Sequence, residues 1–328
     1  MGVDKESFKQ AGEAGAMPVY RILPKAQRLP AEPILTPRQD HKYWWEKRGT
    51  FNPGVTLYRD QIILLYRAYD EFRISRLGLA KSRDGIHFRR YSLPVVDTDP
   101  TDMDERLGIE DPRITKIDGT YYIIHTAASY HRVGTVSDIS GVMDYIPWRV
   151  RVAMHSTKDF KHFVHHDVIL PEIPAKNGCL LPEKINKAFG LYYRERHELK
   201  LTFTRDFVTW FDTQTVTWPV PQEWQSDKFG LGSPPIIFEQ GYLLVYHAVD
   251  QLGHYRLGLM LLDRHDPTRL LWYSSPILEP EMSWEKEGYV PNVVYSCGAI
   301  VQNDELWIYY GAADYATGRA ILPLKGIL

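Results

Sequence analysis

Reactive side chains in this chain gather beside prolines. A Glu–Asp pair followed by proline and arginine stands at Glu110–Arg113 ("EDPR"). Four more short proline clusters carry polar residues: "FNPG" at Asn52, "LPEK" at Lys184, "GSPP" at Ser233 and "VPNV" at Asn292. Acids set among cations suggest glycosidic bond cleavage, in which a carboxylic acid protonates the leaving oxygen while a nucleophile attacks the opposite face of the sugar. An inverting hydrolase prepares that nucleophile with a second carboxylate about 6.5–9.5 Å away, which activates water. Phosphorolysis uses phosphate instead, which needs no base but does need cationic donors to hold its charge. Arg67, Arg73, Lys184, Arg194 and His247 exceed what a simple hydrolase requires and suit a phosphate cradle. The plainer reading is structural ion pairing, with Glu110 or Asp111 bridging Arg113 and Glu183 bridging Lys184.

Such residues lie far apart in sequence, so the fold must bring them together. Short apolar or alternating runs, rich in aromatic and branched residues, recur between Gly, Asp and Asn turns: "IILLYRAY", "YYIIHTAA", "AFGLYYR", "YLLVYHAV" and "LWIYYGAA". These read as strands, and no amphipathic helix of ordinary length interrupts them. Each run follows a turn, and before each turn lies another short strand opened by one of the five proline clusters. The first four units share a second half, as in "RLGLAKSRDGIHF" and "ELKLTFTRDFVTW". Units of about four strands recurring every fifty to seventy residues predict an all-β, five-bladed β-propeller. The expected blades span 50–100, 105–175, 178–222, 230–280 and 288–328. Residues 1–49 form an N-terminal extension, and its "YWWEKRG" is expected to cover one face of the propeller domain at 50–328. A β-sandwich is the alternative, but it would not repeat a strand-opening proline cluster five times.

Innermost strands of a propeller surround a channel, so equivalent positions converge near the axis. If the proline clusters are equivalent, Asn52, Glu110, Asp111, Arg113, Glu183, Lys184, Ser233 and Asn292 meet there. The second strands end in Arg67, His125, Arg194, His247 and Tyr310, which would line the same mouth.

Composition narrows the partners. The formal net charge of the 328 residues is -2, so no global basic field attracts nucleic acid or anionic lipid. No run approaches the ~20 apolar residues of a membrane span. The polar start "MGVDKESFKQ" predicts no cleavable signal peptide, and the reading is a cytoplasmic protein. Cys179 and Cys297 are too few for a stapled secreted domain and are expected to be buried free thiols. No His-x-x-x-His or Cys-x-x-Cys spacing occurs, so no metal or organic cofactor is expected, and His165–His166 reads as a solvated strand end.

The motifs "FNPG", "LLYRA", "SRLGLAKSRDG", "GIEDPR", "LPEKI", "SPPI", "YHAVD", "LLD", "PNVVYSCG" and "YYGAAD", in this order from about Pro33 to Ala320, resemble glycoside hydrolase family 130. That family contains inverting β-mannoside phosphorylases and some β-mannosidases on a five-bladed propeller. The resemblance implies Asp111 as general acid, acting in the phosphorylases through the 3-hydroxyl of the bound mannose. It implies Asn52 and Asp314 as sugar contacts and Lys184 and His247 as part of a phosphate pocket. Arg67 matches a family arginine near that pocket, with Tyr255 beside it. Glu110, Arg113, Ser233, Asn292 and Tyr310 complete the expected substrate-binding set, and Arg73 and Arg194 the phosphate-binding set.

The chain departs from the family in two places. It has "FVHHDVI" where phosphorylases tend to carry an arginine, and "LPEK" and "YYRERHE" where "FPEK" and "LHRP" are usual. Arg149 or Arg151 could replace the arginine. Alternatively Glu183 or Glu195 could serve a hydrolase as water-activating base. The expected activity is inverting phosphorolysis of terminal β-mannosides (manno-oligosaccharide or mannosyl-glucose), with inorganic phosphate as co-substrate and α-mannose 1-phosphate as product. The rivals are an inverting β-mannosidase and a non-catalytic sugar-binding propeller. Linkage stays open between β-1,4 and β-1,2, resting on loops 129–147 and 250–256. Tyr130, Trp148 and Trp284 are candidates for stacking on the outer sugar, and an edge formed by the N-terminal extension would suit a homo-oligomer.

Overall fold

The computed structural model describes residues 17–130, 148–217 and 221–328. Its strands form a five-bladed β-propeller. Blade one comprises Gly49–Tyr58, Gln61–Tyr69, Ser75–Ser82 and Arg89–Arg90, and blade two Gly108–Ile117, Thr120–Tyr130, Trp148–Thr157 and Phe163–Val168. Blade three comprises Ala175–Leu180, Phe189–Glu195, Glu198–Thr204 and Trp210–Thr215. Blade four is built from Lys228–Leu231 with Ile236–Phe238, then Gly241–Val249, Tyr255–Asp263 and Leu270–Ser274. Blade five has Val294–Gln302, Glu305–Ala312 and Ala316–Pro323.

The apolar runs are continuous because the second strand of a blade is buried on both faces, as in any sheet covered on two sides. Side chains alternate with period two. In blade one, Ile63 and Leu65 pack with Ile109 and Ile123 of blade two, while Ile62, Leu64 and Tyr66 pack with Ile300 and Tyr309 of blade five. In blade four, Leu244 and Tyr246 meet Tyr192 and Leu201 of blade three, whereas Leu243 and Val245 meet Ile308 and Leu322 of blade five. Blades two and three share Ile124, Val152 and Leu191. Five inter-blade cores therefore close the ring, and each would be half exposed without its neighbour.

The N-terminal segment edges two blades. Gln27–Arg28 pairs antiparallel with Ala316–Pro323, giving blade five its fourth strand, and Val19–Arg21 pairs parallel with Leu270–Ser274 of blade four. Arg28 clamps the buried carboxylate of Glu285 in a bidentate pair at 2.7 and 2.8 Å, and Tyr310 donates to the same group at 2.7 Å. Trp45 is wholly buried against Tyr66, while Trp44 is half exposed beneath the Arg76 guanidinium.

The Ser/Thr-x-Asp segments repeat one hydrogen-bonded turn. Ser82, Thr157 and Thr204 each accept from backbone N–H groups two and three residues on, and Asp84, Asp159 and Asp206 do likewise. Local side-chain capping of this kind ends one strand and starts the next without help from the rest of the fold.

Candidate active site

Three innermost strands carry a bulge at the same place. The ladders slip between Phe51 and Gly54, Glu110 and Arg113, and Lys176 and Cys179. Asn52, Asp111 and Asn177 sit in these bulges with φ of 46°, 55° and 55°. Asn and Asp tolerate this left-handed region better than other non-glycine residues, and a bulge re-aims a side chain out of the pleat. A fourth slip, between Ser296 and Gly298, marks the matching point of blade five. The last paired residues before the slips are therefore Phe51, Glu110, Lys176 and Ser296, the first three each followed by a left-handed bulge residue.

This register differs from the one expected. "LPEK" and "GSPP" follow the inner strands of blades three and four, whereas "FNPG" and "EDPR" lie within theirs. Lys184 consequently stands away from the bulges, its Nζ 2.8 Å from Asp118 on the turn after the inner strand of blade two. Ser233 is fully buried and accepts from Val245 N–H at 3.1 Å. Pro182, Pro234 and Pro235 line a groove with Thr56, Thr115 and Val301, residues further along the inner strands than the bulges.

At the bulge end a cavity of about 470 Å³ opens, lined by residues of all five blades. Asn52, Arg67, Arg73, Glu110, Asp111, Tyr255 and Asp314 of the expected set line it, joined by Tyr69, Lys176, Tyr289 and Tyr295. Asp111 Oδ1 accepts from Asn52 Nδ2 at 2.9 Å and Arg67 Nη1 at 3.3 Å. Arg67 also donates to Glu110 at 2.7 Å and Ser75 at 2.8 Å, so one guanidinium aligns two carboxylates. Burial pushes the Asp111 carboxyl up, but Arg67, Arg113, the Asn52 hydrogen bond and Lys176 outweigh it and leave it below its ordinary value. Asp314 behaves oppositely. Burial, with Asp111 and Glu110 nearby, outweighs Arg67 and lifts it to about 7. Burial also lowers Lys176, although Glu110 and Asp111 work against that shift.

Other expected site residues lie behind the cavity wall. Arg113 is completely buried and donates to the carbonyls of Gly232 and Leu231 at 2.8 and 2.9 Å, to Tyr295 Oη at 3.0 Å and to Asp111 O at 3.0 Å. It bolts blade two to blades four and five and fixes the Asp111 backbone. Arg194 donates to Asn177 Oδ1 at 3.1 Å, and Asn177 donates to Tyr295 Oη at 2.7 Å. His247 packs on Tyr295 with ring centroids 4.5 Å apart; burial and the nearby Arg194, Arg113 and Lys228 charges push it well below its ordinary value, so its ring is neutral. Asn292 accepts Tyr255 N–H through its carbonyl at 3.0 Å, next to the lining residue Val293. Tyr310 points into the core between blades four and five, because its place in the two-residue alternation faces that core.

Lys176, Tyr69, Tyr289 and Tyr295 escaped the sequence reading. Lys176 could have been found from "KNG", whose Asn–Gly pair marks a left-handed residue as "FNPG" does. Of the candidate stacking aromatics, Trp284 stacks on Tyr310 in the core and Tyr130 is exposed, while the Trp148 side chain and loop 131–147 lie outside the described residues. Among the alternatives for the missing arginine, Arg149 pairs with Asp104, and Arg151 donates to the Pro171 and Val150 carbonyls. Glu183 is held by Tyr242 and Arg264. Cys179 and Cys297 are free and buried, and burial pushes the Cys179 thiol up to about 12. Among the described residues no helix is long and apolar enough to cross a membrane.

The arrangement joins a carboxyl group to a cationic wall, the pairing that transfer of a sugar to an anionic acceptor uses. The sequence profile of glycoside hydrolase family 130, described as beta-1,4-mannooligosaccharide phosphorylase, matches residues 26–328. The chain is 38% identical over 312 residues to a 1,2-beta-oligomannan phosphorylase of Thermoanaerobacter sp. (strain X514), covering 92% of this chain and 99% of that one. It is also 38% identical over 314 residues to a beta-1,2-mannobiose phosphorylase of the same organism, covering 92% and 98%. The solved beta-1,2-mannobiose phosphorylase of Listeria innocua, in complex with beta-1,2-mannobiose, superposes with a TM-score of 0.78 at 26% identity, covering 92% of this chain and 97% of that one. The profile match and these relatives show that the chain belongs to glycoside hydrolase family 130.

Proposed function

We propose that the protein is an inverting β-mannoside phosphorylase whose preferred linkage is β-1,2. The observation that carries this reading is the pairing of Asp111 with a cationic wall in one cavity, where Arg67 and Lys176 lie beside it. The similarity to β-1,2-acting relatives across nearly the whole chain supports the linkage. Phosphate, the co-substrate, enters against Lys176 and Arg67 and attacks the anomeric carbon of a terminal mannosyl unit. The bond to the leaving sugar breaks, Asp111 supplies the proton to its oxygen through the sugar's 3-hydroxyl, and α-mannose 1-phosphate and a shortened sugar result. No organic cofactor takes part.

In the free protein the basic neighbours hold Asp111 ionised. Bound phosphate offsets their charge and so favours the protonated acid. Phosphate binding and proton uptake are therefore coupled, by the same opposite-charge effect that depresses the free group. Two buried free thiols are consistent with a reducing cytoplasm, where phosphate is abundant.

The test is product analysis with β-1,2- and β-1,4-mannobiose and mannosyl-glucose, with and without phosphate. Phosphate-dependent mannose 1-phosphate, formed fastest from the β-1,2 substrate, is expected. Free mannose at a rate indifferent to phosphate would replace this reading with an inverting β-mannosidase.

A further inference from the structure

Blade two holds a second convergence of reactive side chains that phosphorolysis does not use. His125, on the second strand, and His155, on the third, place Nε2 and Nδ1 2.9 Å apart. Glu105, on the segment entering the inner strand, sets Oε1 3.6 Å from His125 Nε2 and Oε2 3.5 Å from His165 Nε2. The His165 ring stacks on His155 at 4.5 Å. One donor atom from each of Glu105, His125 and His155 lies within 4.8 Å of the others, and these residues are only 3%, 2% and 6% exposed. Asp102 approaches Glu105 and His165 within the same limit on the outer side.

A histidine pair that served packing alone would not need a carboxylate beside it. Among the described residues, Glu105 Oε1 is buried without a hydrogen-bond partner. A buried carboxylate oxygen left unpaired is costly, whereas a cation placed among these atoms satisfies it. Tetrahedral zinc, with bonds of about 2.0–2.2 Å, spaces its ligand atoms roughly 3.3–3.5 Å apart. The Glu105–His125 spacing of 3.6 Å is close to that range, the Glu105–His155 spacing is under 4.8 Å, and the histidine pair needs to open by only a few tenths of an ångström.

We propose that Glu105, His125 and His155 form a zinc-type divalent metal site, with His165 gripping the second oxygen of Glu105. Three protein ligands leave a fourth position for water. The site is structural. It ties the segment before the inner strand to the second and third strands of blade two, five residues ahead of Glu110. The backbone already follows this path, with Gly108 N–H donating to Glu105 O at 2.8 Å and Leu107 N–H to Ala128 O at 3.0 Å. No spacing motif in the sequence marks this site, because its three ligands come from three separate segments.

Tag-free full-length protein, equilibrated with Zn²⁺ and dialysed, should retain one equivalent by elemental analysis, and should melt higher than after chelator treatment. Cobalt substitution should give the intense ligand-field absorption of a tetrahedral site with nitrogen ligands. Glu105→Gln and His155→Gln should lose the equivalent, and His165→Ala should weaken zinc binding about 10–100-fold, as loss of a supporting contact does. Substoichiometric zinc in the wild-type protein, or full zinc retention in both ligand variants, overturns the proposal. If neither ligand variant folds, the cobalt spectrum of the wild-type protein decides, and an octahedral or absent signal overturns it.

Discussion

Replacing Asp111 with Asn tests the catalytic assignment with little structural disturbance. The backbone at Asp111 is left-handed, with φ of 55°, and asparagine occupies the equivalent bulges at positions 52 and 177. The new amide can still accept from Asn52 Nδ2. The longer Arg67 contact, at 3.3 Å to the same oxygen, loses its charged acceptor, while Arg67 keeps Glu110 at 2.7 Å and Ser75 at 2.8 Å. The stability cost should therefore stay near the ~1.5–3 kcal/mol of one charged hydrogen bond. Catalysis should suffer more. General acid participation contributes about 10²–10⁴-fold, which corresponds to roughly 3–5 kcal/mol of barrier. The assay is the initial rate of mannose 1-phosphate formation from β-1,2-mannobiose at saturating phosphate, together with synthesis from mannose 1-phosphate and mannose. Both directions cross one transition state, so both rates should fall by the same factor in a protein that still melts cooperatively. Turnover within threefold of wild type, or a loss in one direction only, would refute Asp111 as the proton donor.

Lys176→Met should raise the KM for phosphate about 10–100-fold, the value of one charged contact of ~1.5–3 kcal/mol, with a smaller change in the KM for mannobiose; Lys184→Ala, which breaks a half-exposed pair with Asp118 and a contact over the Phe189 ring, should leave both within twofold. Asp314 titrates at about 7 in the folded protein and near its ordinary value when unfolded, so the native state holds the extra proton between about 4 and 7. Its contribution is full below the unfolded value and is lost as pH rises through the folded one, so urea midpoints across that window should fall less steeply for Asp314→Asn than for wild type. Isothermal titration of phosphate in buffers of different ionisation enthalpy should reveal net proton uptake near neutral pH, and Asp111→Asn should reduce it. Arg28→Met should destabilise the protein by about 3–5 kcal/mol, because the buried Glu285 carboxylate loses its bidentate partner; urea unfolding measures the loss, while turnover per folded molecule should be unchanged.

Strand composition, turn chemistry and the repeat are local properties, and so the all-β, five-bladed architecture is legible in the sequence. "IILLYRAY" shows this well, since an apolar run of strand length bounded by turn residues already implies burial on two faces. Asn52, Glu110 and Asp111 were legible for a similar reason: their clusters lie within the inner strands, and the left-handed bulge prefers Asn or Asp. Arg67, Arg73, Tyr255 and Asp314 were reached through position or resemblance, and each lines the cavity.

Register was decided only in three dimensions. A proline marks a strand boundary without saying which end, so "LPEK" and "GSPP" looked equivalent to "EDPR" although they follow their strands. The true counterpart in blade three, Lys176–Asn177, contains no proline. The two-residue alternation then sent Tyr310 into an inter-blade core, while Arg113 crossed beneath the cavity to bind the carbonyls of blade four. Glu105, His125, His155 and His165 share no sequence motif and meet only because four segments of blade two fold against one another. Residue types and local propensity are carried by the chain itself, whereas pair distances, burial and the opposed protonation of Asp111 and Asp314 arise from long-range packing that places charges from several blades around one cavity.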